Sequence, residues 1–207
     1  SPTIYHYEIA VQAIQAGKHV FIEKPLTALT SQAGELVRLA KEKGVKVQVG
    51  HVERYNPAIL SLKDVHFNPK FIEAHRLSVF NPRGTDVSVV LDLMIHDIDI
   101  ILHMIKAEVT EVRASGVSIV SRKPDICNAR IEFANGAVAN LTASRISMKN
   151  MRKIRVFQED AYISLDFLNK EAQIIKIDDV ADDYDGMTIQ TKDGEKRLWI
   201  DNPDIMK

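Results

Sequence analysis

Residues 16–50 read AGKHVFIEKPLTALTSQAGELVRLAKEKGVKVQVG, two short apolar runs separated by an amphipathic one. His19-Val20-Phe21-Ile22 is short, apolar and bounded by Lys18 and Pro25, the pattern of a strand buried on both faces. Ser31 stands where an N-cap would begin the next helix. Leu36, Val37, Leu39 and Ala40 then recur at helical spacing up to Lys43, and Gly44 closes the helix before a second strand, Lys46 to Gly50. Upstream, Ile9, Ala10, Ala13, Ile14 and Ala16 mark a helix from His6, with Gly17 at its C-terminal end. Helix, strand, helix, strand predicts a parallel α/β unit.

After Gly50 the pattern changes. Pro57 to Leu62 reads as a short helix, Phe71 to Val79 as a strand, and Val87 to Ile105 as a long helix with apolar residues nearly all round. Strand signals then dominate: Val112 to Val120, Asn128 to Phe133, Ala137 to Ile146, Lys153 to Phe157, Ala161 to Leu165, Glu171 to Ile177, Met187 to Gln190 and Lys196 to Ile200. Asn135-Gly136 predicts a type I′ hairpin, and Asp193-Gly194 repeats the signal. The acidic stretch Asp178 to Asp185 is expected to be a mobile loop. The expected fold is thus an α/β fragment over 1–50, too small to close a doubly wound domain, followed over 51–207 by an α+β domain. That second domain has a large, mostly antiparallel open sheet with a helix on one face.

The 207 residues are 45% hydrophobic, enough to bury a sizeable core. Lys plus Arg number 27 against 28 for Asp plus Glu, so no basic excess exists to neutralise nucleic-acid phosphates. The single cysteine, Cys127, has no internal partner, which fits a reducing, cytoplasmic setting. No apolar run approaches the ~20 residues needed to cross a bilayer, and no membrane partner is expected. His6 and His51 lack carboxylates or histidines at zinc-like spacing, so no metal is expected.

Three places carry candidate chemistry. Glu23-Lys24-Pro25 sits at the carboxyl end of the first strand, the edge where open parallel sheets bind ligands. A lysine there can favour the alkoxide-like charge that develops on a hydroxyl under oxidation; taken alone, it reads first as an ordinary solvated lysine after a strand. Asp92 and His96 stand four apart, on one face of the long helix. Histidine can take a hydroxyl proton while the carboxylate orients the ring and favours its protonated form. A helix-terminal carboxylate and a core histidine would look the same. Asp97, Asp99 and His103 read as caps, packing or surface. His51, Glu53, Arg54, Tyr55 and Asn56 form a dense polar stretch at the domain junction, where ligand pockets are common.

AGKHVFIEKPL, then GHVERYNPA, then DLMIHDIDIILHM, in that order, resemble the Gfo/Idh/MocA family of glucose-fructose oxidoreductase and inositol dehydrogenase, over most of the chain. The resemblance implies that residues 1–50 are the C-terminal part of a Rossmann domain binding NAD or NADP, and that 51–207 handle substrate and oligomerisation. It makes Lys24, Asp92 and His96 catalytic, His96 being the acid/base. It places Pro2, Thr3, His6, Glu23, Lys24 and Pro25 by the cofactor and Arg54, Tyr55 and Asn56 by the substrate. GHVERYNPA is most similar to the branch acting on UDP-N-acetylglucosamine at C3. The family's G-x-G-x-x-G turn does not occur in the sequence, nor does the residue that reads the ribose 2′ position, so NAD and NADP are not distinguished. The chain is therefore expected to be a shortened, by itself inactive form of a sugar or nucleotide-sugar dehydrogenase, homo-oligomeric through its sheet face. The alternative is a non-catalytic sugar-binding or assembly module, whose uncovered apolar sheet face would bring copies together.

Overall fold

The computed structural model describes residues 2–82, 87–178, 187–191 and 194–201. Helix α1 (His6–Gln15), strand β1 (Val20–Glu23), helix α2 (Thr30–Lys43) and strand β2 (Val47–Gly50) follow in order, with β1 and β2 parallel and Val20 opposite Val47. Ile14, Leu36 and Ile22, with Ala10 and Ala40, form a small core because both helices pack on one side of the strands. The other side of β1 is open, so Phe21 is 62% exposed, and the expectation of a strand buried on both faces fails. Ser31 does not cap α2 either: Leu29 occupies the N-cap without a side-chain bond, and Ser31 lies inside the first turn.

The second unit begins with a single 3-10 turn, Val52–Tyr55, and the short helix α3, Pro57–Leu60. Strand β3 (Phe71–Leu77) precedes a π-helical turn, Val90–Met94, that runs into α4 (Ile95–Met104). The long helix expected from Val87 therefore starts at Val90 and becomes α-helical only at Ile95. Strands β4 (Val109–Val117), β5 (Ile126–Phe133), β6 (Val138–Ser144), β7 (Met151–Phe157) and β8 (Ala161–Asp166) follow, then β9 (Glu171–Asp178), β10 (Met187–Thr191) and β11 (Gly194–Asp201).

Among the described residues the sheet has nine strands in the order β10-β11-β9-β8-β7-β3-β6-β5-β4. Every pairing is antiparallel except that of β3 with β6. Alternation sends Ile72, Ala74, Leu141, Ile154, Ile163 and Leu165 to one face, where they pack with Met94, Ile101 and Met104 under α4. Burial of each large side chain contributes about 1.5–3 kcal/mol before entropy is subtracted. The same alternation corrects a second expectation. The face away from the helices is not an apolar patch: it carries Glu73, His75, Arg130, Glu132, Lys153 and Arg155, with an aromatic cluster of Phe71, Phe157 and Tyr162.

The β5–β6 hairpin falls where Asn135-Gly136 placed it, by a different turn. Gly136 N–H donates to the Phe133 carbonyl, and Gly136 alone takes positive φ, 81°. Asn135 instead accepts from Ala137 N–H through its side chain, so a three-residue loop closed by a left-handed glycine replaces type I′. Asp193 and the acidic stretch after Asp178 lie outside the described residues.

Candidate active site

The Lys24–Pro25 peptide is cis, and the Pro25 carbonyl lies 2.8 Å from buried His6 Nδ1. His6 thus ties helix α1 to the loop that presents Lys24. Gly50 leaves the room this loop needs, since a Cβ there would stand 2.9 Å from Glu23 Oε2. Pro2 is exposed and Thr3 opens a single 3-10 turn, Thr3–Tyr5, at the start of α1.

Lys24 reaches the second unit. Its Nζ donates to the Asp92 backbone carbonyl at 2.5 Å and stands 3.6 Å from Asp92 Oδ1. Asp92 lies in the π turn, a widened backbone often found at functional sites. Burial lowers the pKa of Lys24, and the Asp92 carboxylate opposes that shift.

His96, one turn on, is buried at Nδ1, and among the described residues that nitrogen takes no hydrogen bond. Burial lowers its pKa to about 3, helped by the charges of Arg76, Lys24, Arg152 and His51. Asp92 therefore does not orient the ring or favour its protonated form, as four-residue spacing suggested: its carboxylate is engaged by Lys24, and cations surround the imidazole. Folding stability should carry this signature. The unfolded chain binds a proton near pH 6.5 that the folded chain refuses until about pH 3, so stability is full above pH 6.5 and falls as pH drops through that window. Melting temperature measured against pH should show this acid limb, and His96→Gln should flatten it; an unchanged limb would place the effect elsewhere.

Beneath His96 lies an ionic cluster that pattern reading left unassigned. Arg76, 2% exposed, donates to both oxygens of buried Asp97 at 2.7–3.0 Å and to Glu53 Oε2 at 3.3 Å. Arg54 grips Asp99 with two bonds, at 2.7 and 2.5 Å, and His51 Nδ1 stands 3.7 Å from the same carboxylate. Of the expected substrate residues, Arg54 is thus already paired and Tyr55 is 72% exposed. Asn56 is committed to the fold: its Oδ1 caps α3 at Ala58 N–H, and its amide donates to the Phe167 carbonyl.

A cavity of about 480 Å³ lies along the C-terminal half of α4, between Leu62, Phe67, Ile100 and Met104. Lys24, Asp92 and His96 do not line it. The charged candidate residues converge instead at the N-terminal end of α4. Among the described residues no set of three His, Cys, Asp or Glu side chains is placed to hold a metal ion, and no helix is long and apolar enough to cross a membrane.

Residues 1–51 match the family described as "Oxidoreductase family, NAD-binding Rossmann fold", and residues 65–164 match "GFO/IDH/MocA C-terminal domain". The chain belongs to the Gfo/Idh/MocA family. This Gfo/Idh/MocA chain is 43% identical over 175 residues to UDP-N-acetylglucosamine 3-dehydrogenase of Acidithiobacillus ferrooxidans, covering 84% of this chain and 56% of that protein. It is 29% identical over 162 residues to scyllo-inositol 2-dehydrogenase (NAD(+)) of Bacillus subtilis, covering 71% and 47% respectively. A solved structure of the Acidithiobacillus ferrooxidans enzyme superimposes with a TM-score of 0.86 at 38% identity, covering all of this chain and 63% of that one. The chain spans about half the length of the curated relatives it matches.

Proposed function

We propose that residues 1–50 and 51–207 form the cofactor-facing and substrate-facing parts of an NAD(P)-dependent dehydrogenase acting on a hydroxyl of a nucleotide sugar, UDP-N-acetylglucosamine in the first instance. The observation that carries this reading is the meeting of the Lys24 ammonium with Asp92, together with a buried His96 Nδ1 that has no partner among the described residues. The 43% identity to a UDP-N-acetylglucosamine 3-dehydrogenase supports the substrate.

The residues present fit the nicotinamide end of the cofactor. Glu23, Lys24 and Pro25 stand at the carboxyl end of a parallel strand, and the Lys24 charge acts on the His96 ring. Bound there, nicotinamide would accept the electron pair of the substrate C–H bond. The chain's own part is the proton and the charge. His96 is neutral at working pH and takes the hydroxyl proton, and Lys24 holds the oxygen. The cations that disfavour imidazolium equally favour the negative charge growing on that oxygen, so the proton transfer gains at the substrate what it loses at the ring.

The test is reduction of NAD and NADP by the full-length protein, with UDP-N-acetylglucosamine compared against inositols and free sugars. Turnover with the nucleotide sugar that His96→Ala abolishes is the expected result. Cofactor binding with no turnover of any of these would sink the substrate assignment, and failure to bind either cofactor would favour the non-catalytic module.

A further inference from the structure

Arg152, the second residue of β7, lies directly opposite Arg76 of β3, and alternation with Ile154 and Val156 turns its side chain toward the same face. Two arginines directly opposite on one face repel and weaken a sheet. Arg76 offsets this by its bonds to Asp97 and Glu53. Among the described residues Arg152 has only a long ion pair to offset it. Its approach to a carboxylate is 4.0 Å, to Glu53 Oε1, and that carboxylate already serves Arg76.

The remaining carboxylates of the cluster are engaged too. Asp92 stands against Lys24, Asp97 is held by Arg76, and Asp99 is gripped by Arg54. Arg152 keeps a side chain 45% exposed, close enough to His96 for its charge to oppose protonation of the ring. A half-exposed guanidinium that makes only one long ion pair among the described residues, against a like charge, is suited to a bidentate oxyanion from solution.

We propose that Arg152 is a specificity-determining residue that grips a phosphate of a sugar-nucleotide substrate. The inference rests on the dehydrogenase reading and deepens it: the site would select diphosphate-bearing sugars over free sugars through this one contact.

Calorimetric titration of the full-length protein with UDP tests it without requiring turnover. Arg152→Ala should weaken UDP binding on the order of 10- to 100-fold, the loss of a charge-assisted bidentate contact. Arg152→Lys, which keeps the charge but not the fork, should fall between. The KM for UDP-N-acetylglucosamine should rise in parallel with the loss of UDP affinity. Because Arg152 is half-exposed, both variants should melt close to the parent, which separates a binding defect from a folding one. Unchanged UDP affinity in Arg152→Ala, or no UDP binding by the parent protein, overturns the proposal even where the dehydrogenase reading survives. Arg152-dependent UDP binding in a protein that turns over no sugar with either nicotinamide sustains it while the dehydrogenase reading falls.

Discussion

Lys24→Ala should lower kcat of the full-length protein by roughly 10²- to 10³-fold, the range found when one donor to a developing oxyanion is removed. The reasoning starts from where the ammonium sits. Lys24 is tethered by the Asp92 carbonyl, so its charge is held at a fixed place before substrate arrives and need not be reorganised during reaction. Truncation leaves the Asp92 carboxylate in place without its counter-charge, which adds a repulsive group where negative charge must grow. Melting temperature should change little, because the ion pair is partly open to solvent, with side-chain exposures of 20% and 28%, and such pairs contribute little to folding. KM should move much less than kcat, since the contact strengthens toward the transition state. A variant with normal kcat would remove Lys24 from the chemistry and return it to the role of a solvated lysine after a strand.

Arg76→Met should be the most destabilising single change in the site, by about 3–5 kcal/mol, the cost of breaking a buried ion pair from one side. Asp97 and Glu53 would keep their places with their cation gone. Burial already raises the pKa of Asp97, and Arg76 is the first charge acting against that rise. Without Arg76 the carboxylate's folded pKa climbs further above its unfolded value. The folded state then binds the extra proton, so the deficit is largest at neutral pH and narrows on acidification. Thermal melts should show a fall of roughly 6–20 °C, taking 2–4 °C per kcal/mol for a chain of this size. The combination Arg76→Met with Asp97→Leu and Glu53→Gln, which leaves no stranded charge, should recover most of it. If the single variant melts with the parent, the cluster is not the ionic core described.

The chain carried some of this openly and hid the rest. Helix α2, strand β2 and the body of α4 are legible because each carries its apolar pattern through its middle residues, where end effects do not reach. The starts of helices were not: Ser31 has the right chemistry for a cap, yet the helix begins earlier, at Thr30, with no side-chain cap. Lys24, Asp92 and His96 could be picked out from motif and spacing, but spacing gives direction, not partners, so the engagement of Asp92 by Lys24 rather than by His96 was invisible. Arg76 had a readable signal. Alternation along β3 puts it on the face of Ile72 and Ala74, and a charge on an apolar face needs a buried partner. Asp97 offers the matching anomaly among Met94, Ile101 and Met104. What no local pattern reveals is that these two anomalies answer each other, since the match depends on how β3 lies under α4. The one parallel pairing described within the nine-stranded sheet escaped for the same reason: β6 joins β3 by tertiary arrangement, not by a hairpin signal.

That pairing bears on how the molecule acquires its shape. β3, near the middle of the sheet, finds no partner among its neighbours in sequence: it must wait for Val138 to Ser144 on one edge and Met151 to Phe157 on the other. The hairpin of β5 and β6 can close early around Gly136, whereas β3 can dock only after the intervening chain has looped back, at an entropic charge that grows with the loop. The strand bearing Arg76 is therefore a late arrival in topological terms. Until it arrives, Asp97 on α4 has no cation to meet, and the half-formed domain carries an unanswered carboxylate as well as an open sheet edge. Assembly of the centre and neutralisation of its charge are one event.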